Sequence, residues 1–220
     1  MCMKKKILSI IIFIIMGILI FKGYSIFGTC RLQISQRQCT IDKNKNGIND
    51  VEDILKGARA EVLNKTKYKS QYYNGGYPPE NEGVCTDVIW RAFKNAGYNL
   101  KDEIDNDIET NLKFYPRIKD KSDTNIDFRR VPNLVSFFNR HAKTLTPKIK
   151  PYNKDNLKEW QAGDIVVFYG RKDHIAIISD KRRGDGVPYI IHNAGPYPKE
   201  EDGLRLRALL AKGVYHFRWK

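Results

Sequence analysis

The sequence predicts an α+β domain, with N-terminal helices packed on an antiparallel sheet, carried behind an apolar leader segment. Three observations predict it. Between residues 54 and 141 the apolar residues recur at helical spacing. From Gly163 onward they form short runs bounded by turns. A lysine-flanked uncharged run opens the chain. Its 220 residues are enough for one ordinary domain plus an appendage.

Composition narrows the partners. The chain is 41% hydrophobic and 29% charged, as a folded protein is, with 39 Lys and Arg against 25 Asp and Glu for a net charge of +14. That balance suits an anionic surface such as phospholipid, a teichoic-acid-bearing wall or nucleic acid. Nucleic acid is not expected, because the basic residues are scattered along the whole chain and form no recognised binding motif.

Lys4, Lys5 and Lys6 precede the uncharged run Ile7 to Phe21. A basic flank before an apolar segment keeps the N-terminus in the cytoplasm and exports the rest of the chain. Fifteen residues rise only about 22 Å as a helix, against a bilayer core of roughly 30 Å. Continuing through Lys22, whose stem can snorkel, to Gly28 closes the gap. Residues 1–28 are therefore expected to be a membrane anchor. A cleavable signal peptide is the competing reading, but the chain lacks an A-x-A-like site there. Residues 29–41 are expected to be a linker outside the cytoplasm, where a Cys30–Cys39 disulfide is chemically allowed. The four cysteines, Cys2, Cys30, Cys39 and Cys85, include no CxxC pair, which argues against a zinc knuckle.

Residues 42–53, DKNKNGINDVED, have the spacing of a calcium loop. Asp42, Asn44, Asn46, Asp50 and Asp53 put oxygen side chains at positions 1, 3, 5, 9 and 12. The carbonyl of Ile48 falls at position 7, and Gly47 allows the sharp turn at position 6. Asp in place of Glu at position 12, and Asn49 where an apolar residue is usual, favour a single structural Ca²⁺ over a paired sensor. The competing reading is an Asn/Asp-rich turn that caps the next helix.

The main domain is expected over residues 54–220. Ile54 to Asn64 is the first helix, with Ile54, Leu55, Ala58, Val62 and Leu63 along one side. A loop rich in Tyr and Gly, with Tyr72, Tyr73 and Tyr77, leads to the central amphipathic stretch Gly83 to Leu100, where Val88, Ile89, Ala92, Phe93 and Ala96 share a face and Gly97 ends the last turn. Two more helices are expected, Asp102 to Tyr115 and Leu134 to His141. Strands are expected at Gly163–Tyr169, His174–Ser179, Tyr189–His192 and Val214–Trp219, with a glycine-containing hairpin at 181–187.

Cys85 lies in the first turn of the central helix. Unpaired N–H groups and the positive end of the helix dipole favour a thiolate there, so its pKa is expected to be depressed. A cysteine opening a helix, a histidine on a later strand and a polar residue on the next is a papain-like order, in which the three meet only in the fold. GVCTDVIWRAFKNAGYNL, GDIVVF, HIAIISD and YIIHNAG together resemble the NlpC/P60 superfamily of cell-wall cysteine peptidases. With NIDFRRVPNL added, the chain is similar to the DUF1287 group.

The resemblance implies a papain-like fold. It implies Cys85 as nucleophile, His174 as general base and His192 as the orienting residue. It implies an amide bond in peptidoglycan stem peptides as substrate, with no cofactor for catalysis. The chain departs from the usual Asp-Cys-Ser-Gly signature, since Val84 precedes the cysteine and Thr86-Asp87 come after it. Zinc held by Cys85, His174 and His192 is the minor rival. Asp87, Arg129 and Arg130 are candidate substrate contacts, an arginine pairing with a substrate carboxylate, or else members of internal salt bridges. A wall-binding module without turnover, and an acyltransferase using the same thioester, are the alternatives to a hydrolase.

Overall fold

The computed structural model describes residues 31–219. The expected anchor, Cys2 and Cys30 lie outside the described residues. Cys39 is a free thiol. Among the described residues no helix is long and apolar enough to cross a membrane.

The first half of the chain is mainly helical: α1 (Asp50–Leu63), the short strands β1 (Lys67–Tyr68) and β2 (Glu82–Gly83), then α2 (Cys85–Asn95), α3 (Leu100–Asn111) and α4 (Val131–His141). The second half is β3 (Lys143–Thr144), α5 (Lys154–Lys158), β4 (Ile165–Tyr169), β5 (His174–Arg182), β6 (Pro188–His192), β7 (Lys199–Glu201), α6 (Leu204–Leu210) and β8 (Gly213–Arg218). Strands β3 to β8 form one antiparallel sheet in the order β3-β8-β4-β5-β6-β7, while β1 and β2 form a separate parallel pair. The domain is therefore α+β, helices before strands.

Both faces of the sheet are covered, which is why IVVF and IAII read as unbroken apolar runs. Ile165, Val167, Ile175, Ile177, Ile191 and Phe217 face the helices α1 to α4. Val166, Phe168, Ala176, Ile178 and Ile190 face a second core with Leu157, Trp160 and Leu204. Residues 31–41, expected as linker, reach this second core through the buried Ile34. They are held by the Leu32 amide donating to Gly184 O (2.9 Å) and the Arg37 amide to Gln161 Oε1 (2.7 Å).

Local chemistry sets the helix ends. The Asn49 side chain accepts from the Glu52 amide and caps α1, whose first turn carries Asp50, Glu52 and Asp53. Pro132 lets α4 begin at Val131, three residues before the expected start. Phe93 of α2 is wholly buried against Tyr98, Phe138 and Trp219, with ring centroids 5.9, 6.0 and 5.5 Å away. Truncating such a ring costs about 3–5 kcal/mol. One expected core position is corrected: Leu63 is 81% exposed, because α1 ends there and turns it to solvent.

Candidate active site

Three parts of the chain hold the helix that Cys85 opens. Helix α2 packs on α1 at Gly57, where an added Cβ would lie 2.7 Å from Asn95 Cβ and 2.9 Å from Ala92 Cα, so only glycine permits this approach. The other flank of α2 packs on β5. Asn193, directly after β6, donates to Thr66 O (3.3 Å) and Gly83 O (3.2 Å), tying the sheet to β2 and to the residue before β1.

At this junction the sulfur of Cys85 meets backbone amides: that of Ile175, next to His174 on β5, and those of Thr86 and Cys85 itself at the start of α2. These amides favour the thiolate, as the sequence reading holds. Burial outweighs them. Cys85 is only 8% exposed, and desolvation, seconded in the same direction by the charge of Asp87, pushes the thiol up to about 11. The expected depressed pKa is thus corrected: the helix start is present, but the sulfur is too dry to hold charge.

The two histidines are joined. His174 Nε2 lies 2.9 Å from His192 Nδ1, with the rings nearly perpendicular, and His192 Nε2 lies 3.0 Å from Glu201 Oε1. Burial, reinforced by His192 and Arg207, lowers His174 to about 3; burial, with Arg207 and Lys199, lowers His192 to about 3. Glu201 is 36% exposed, so water screens its carboxylate and it does not overcome the burial of His192. Both rings are therefore neutral near pH 7, and the hydrogen bonds assign their tautomers. Glu201 can only accept, so His192 Nε2 carries a proton and Nδ1 a lone pair. His174 Nε2 must then donate, which leaves Nδ1 of His174 without a proton. Neutral groups, rather than a thiolate–imidazolium pair, are the resting state.

Asp87, Arg129 and Arg130 are taken up by internal ion pairs. Asp87 is fully buried and bound bidentately by Arg129, Nε to Oδ1 at 2.7 Å and Nη2 to Oδ2 at 2.8 Å. It also accepts from the Val84 amide and from Trp90 Nε1. Arg129 is further engaged by Gln71 O and stacks over Tyr73. This pair therefore fixes the first turn of α2. Arg130 donates to Asp127 Oδ1 at 2.9 Å and is 36% exposed. Tyr77 packs on Trp90 and Phe128.

Two hollows, of about 440 Å³ beside Gln36 and Trp219 and about 540 Å³ beside Tyr77 and Trp90, do not border Cys85. Among the described residues no group of three or more His, Cys, Asp or Glu is arranged to hold a metal ion.

Glu201 and Tyr68 give no signal in the sequence that marks them as site residues. Glu201 sits in a charged run, and only its alternation with Glu200 along β7 would place it beside His192. Tyr68 is half-exposed, near enough to Cys85 for a thiolate charge to raise its phenol, after burial.

The family model described as "Domain of unknown function (DUF1287)" matches residues 55–219. The chain belongs to this family. It is 40% identical over 162 residues, covering 69% of this chain and 75% of the relative, to "Uncharacterized protein YijF" of Escherichia coli (strain K12). No solved structure matches the chain. The matched span takes in α2, both histidines and Glu201, and leaves out the loop at 42–53.

Proposed function

We propose that this DUF1287 chain is a thiol hydrolase of papain-like, NlpC/P60 type, tethered to the membrane with its domain outside the cytoplasm, that cleaves an amide bond in peptidoglycan stem peptides. The observation that carries it is the Glu201–His192–His174 relay, which leaves Nδ1 of His174 unprotonated on the residue next to Ile175, whose amide meets Cys85. The net charge of +14 supports an anionic wall or lipid surface as its surroundings.

In this reading the Cys85 thiol attacks the amide carbonyl as its proton passes to His174 Nδ1, and the carbonyl electrons move to oxygen. Tyr68 and the α2 amides are the donors near that oxygen. Collapse breaks the C–N bond, His174 gives its proton to the leaving amine, and a thioester remains. Water, deprotonated by His174, then releases the acid and restores the thiol. His192 and Glu201 hold the tautomer throughout.

The test uses the full-length chain in mild detergent, incubated with purified muropeptides and read by mass spectrometry. Each cut should release a free amine and a free acid, one water heavier in sum than the substrate. Cys85→Ala should abolish it. Unchanged substrate, or turnover by Cys85→Ala equal to that of the parent chain, would defeat the reading. Products carrying an added amine instead of water would mean transfer.

A further inference from the structure

We propose that Asp42, Asn44, Asn46, the carbonyl of Ile48 and Asp53 form a calcium site that braces the helix bearing Cys85. The observation behind it is the carboxylate of Asp53. This side chain is 1% exposed, and its Oδ1 has no hydrogen-bond partner among the described residues. Its Oδ2 accepts from Asn44 Nδ2 and Asn46 Nδ2, both at 2.8 Å, so the group points into the loop. A buried carboxylate facing two neutral amides is under-compensated, and a divalent cation supplies what is missing.

The remaining donors stand around it. Asp42 accepts from the Asn46 and Gly47 amides through Oδ1 and Oδ2 (3.1 and 2.8 Å). Asn44 Oδ1 and Asn46 Oδ1 accept from the Asn46 and Ile48 amides (3.1 and 2.8 Å), each keeping a second lone pair for an ion. Gly47, at φ +85°, makes the turn that gathers them. Two carboxylates with neutral oxygens in a flexible loop suit calcium better than magnesium, which demands a rigid octahedron. The cap of α1 needs none of these side chains, because Asn49 supplies it. Asp50, the ninth loop residue, is turned aside: it accepts from the Lys43 amide and from the Tyr98 hydroxyl, and is not among the ligands.

The loop also touches α2. Asn44 Nδ2 donates to Asn95 O (2.9 Å), Asn95 Nδ2 donates to Asp53 O (2.7 Å), and Gly97 would bring a Cβ within 2.8 Å of Asn44. An ion on Asp53 therefore ties the start of α1 and the end of α2 together.

The experiment takes the full-length chain in mild detergent, stripped with EGTA, and measures thermal unfolding and heat of binding as CaCl₂ is added. At a hundredfold excess over Kd the folded-to-unfolded ratio should rise about a hundredfold, which for a chain this size is a Tm gain of about 5–10 °C. Asp53→Asn removes the buried charge, so it should melt no lower than the parent in EGTA and should ignore calcium. Asn46→Ala, at an exposed position, should keep the fold and bind calcium at least about tenfold more weakly. No Tm gain and no heat in the parent chain would overturn the proposal, as would a full calcium response in Asp53→Asn. Unchanged affinity in Asn46→Ala would overturn the ligand set.

Discussion

Alkylation of Cys85 distinguishes a neutral resting site from an ion pair. With the thiol near 11, about one molecule in 10⁴ is thiolate at pH 7, against about 3% for a free cysteine of pKa 8.5. That alone makes Cys85 roughly 300-fold slower. The more basic thiolate is the better nucleophile, and a Brønsted slope of about 0.4–0.5 returns roughly tenfold. Iodoacetamide should therefore modify Cys85 about 30-fold more slowly than a model thiol, before any loss from restricted access. Access scales every rate alike, so the pH dependence is the cleaner readout. The rate should climb about tenfold per pH unit from about 6 to 10 with no shoulder near neutrality. Because His174 is neutral there, His174→Ala should leave labelling at pH 7 within about twofold while abolishing turnover. Peptide mass spectrometry separates Cys85 from the other cysteines. A labelling rate flat between about pH 5 and 8, matching or exceeding the model thiol, would mean a thiolate–imidazolium pair and refute the argument.

Three further outcomes rest on the same geometry. Glu201→Gln keeps an acceptor for His192 Nε2 and should retain most of the turnover, whereas Glu201→Leu should lower kcat at least about tenfold with the fold intact; equal loss in both would refute the tautomer relay. Both histidines titrate near 3 when folded and near 6.5 when unfolded, so the unfolded chain takes up protons first and stability falls as pH drops below about 6.5. Denaturant unfolding should lose roughly 3 kcal/mol between pH 6.5 and 5, and a flat profile would contradict the buried neutral pair. Asp87→Ala leaves Arg129 buried without its partner and should cost about 3–5 kcal/mol, measured the same way; less than about 1 kcal/mol would mean that this pair does not hold the first turn of α2.

Much of this architecture is legible in the sequence because it rests on apolar pattern. Val88, Ile89, Ala92 and Phe93 announce α2, and the runs at 165–168 and 175–178 announce β4 and β5. What escapes is held by partners distant in the chain. Strand β7 is Lys-Glu-Glu, with no apolar signal, and exists because it pairs with β6. Its alternation sends Glu200 to Arg59 of α1 and Glu201 to His192, opposite duties for adjacent identical residues. Asp87 and Arg129 stand out as charged residues in an apolar context, but 42 positions of separation hide that each is the other's partner. The thiol at Cys85 fails for a different reason: helix position can be counted along a sequence, whereas burial is a property of everything packed around the sulfur.

The fastening of residues 31–37 to the far side of the sheet bears on how far the domain could stray from the proposed anchor. Leu32 is bound to Gly184, Ile34 lies in the second core and Arg37 is bound to Gln161, so the segment is fixed to the domain from its first described residues. In the proposed topology the three steps from Gly28 to Arg31 extend at most about 10 Å. In that topology a tether so short would set a working height: the domain would stay against the bilayer, and its reach would cover material at the membrane face of the wall rather than the outer layers. Lengthening the stretch before Arg31, rather than altering the site, would be the way to extend that reach.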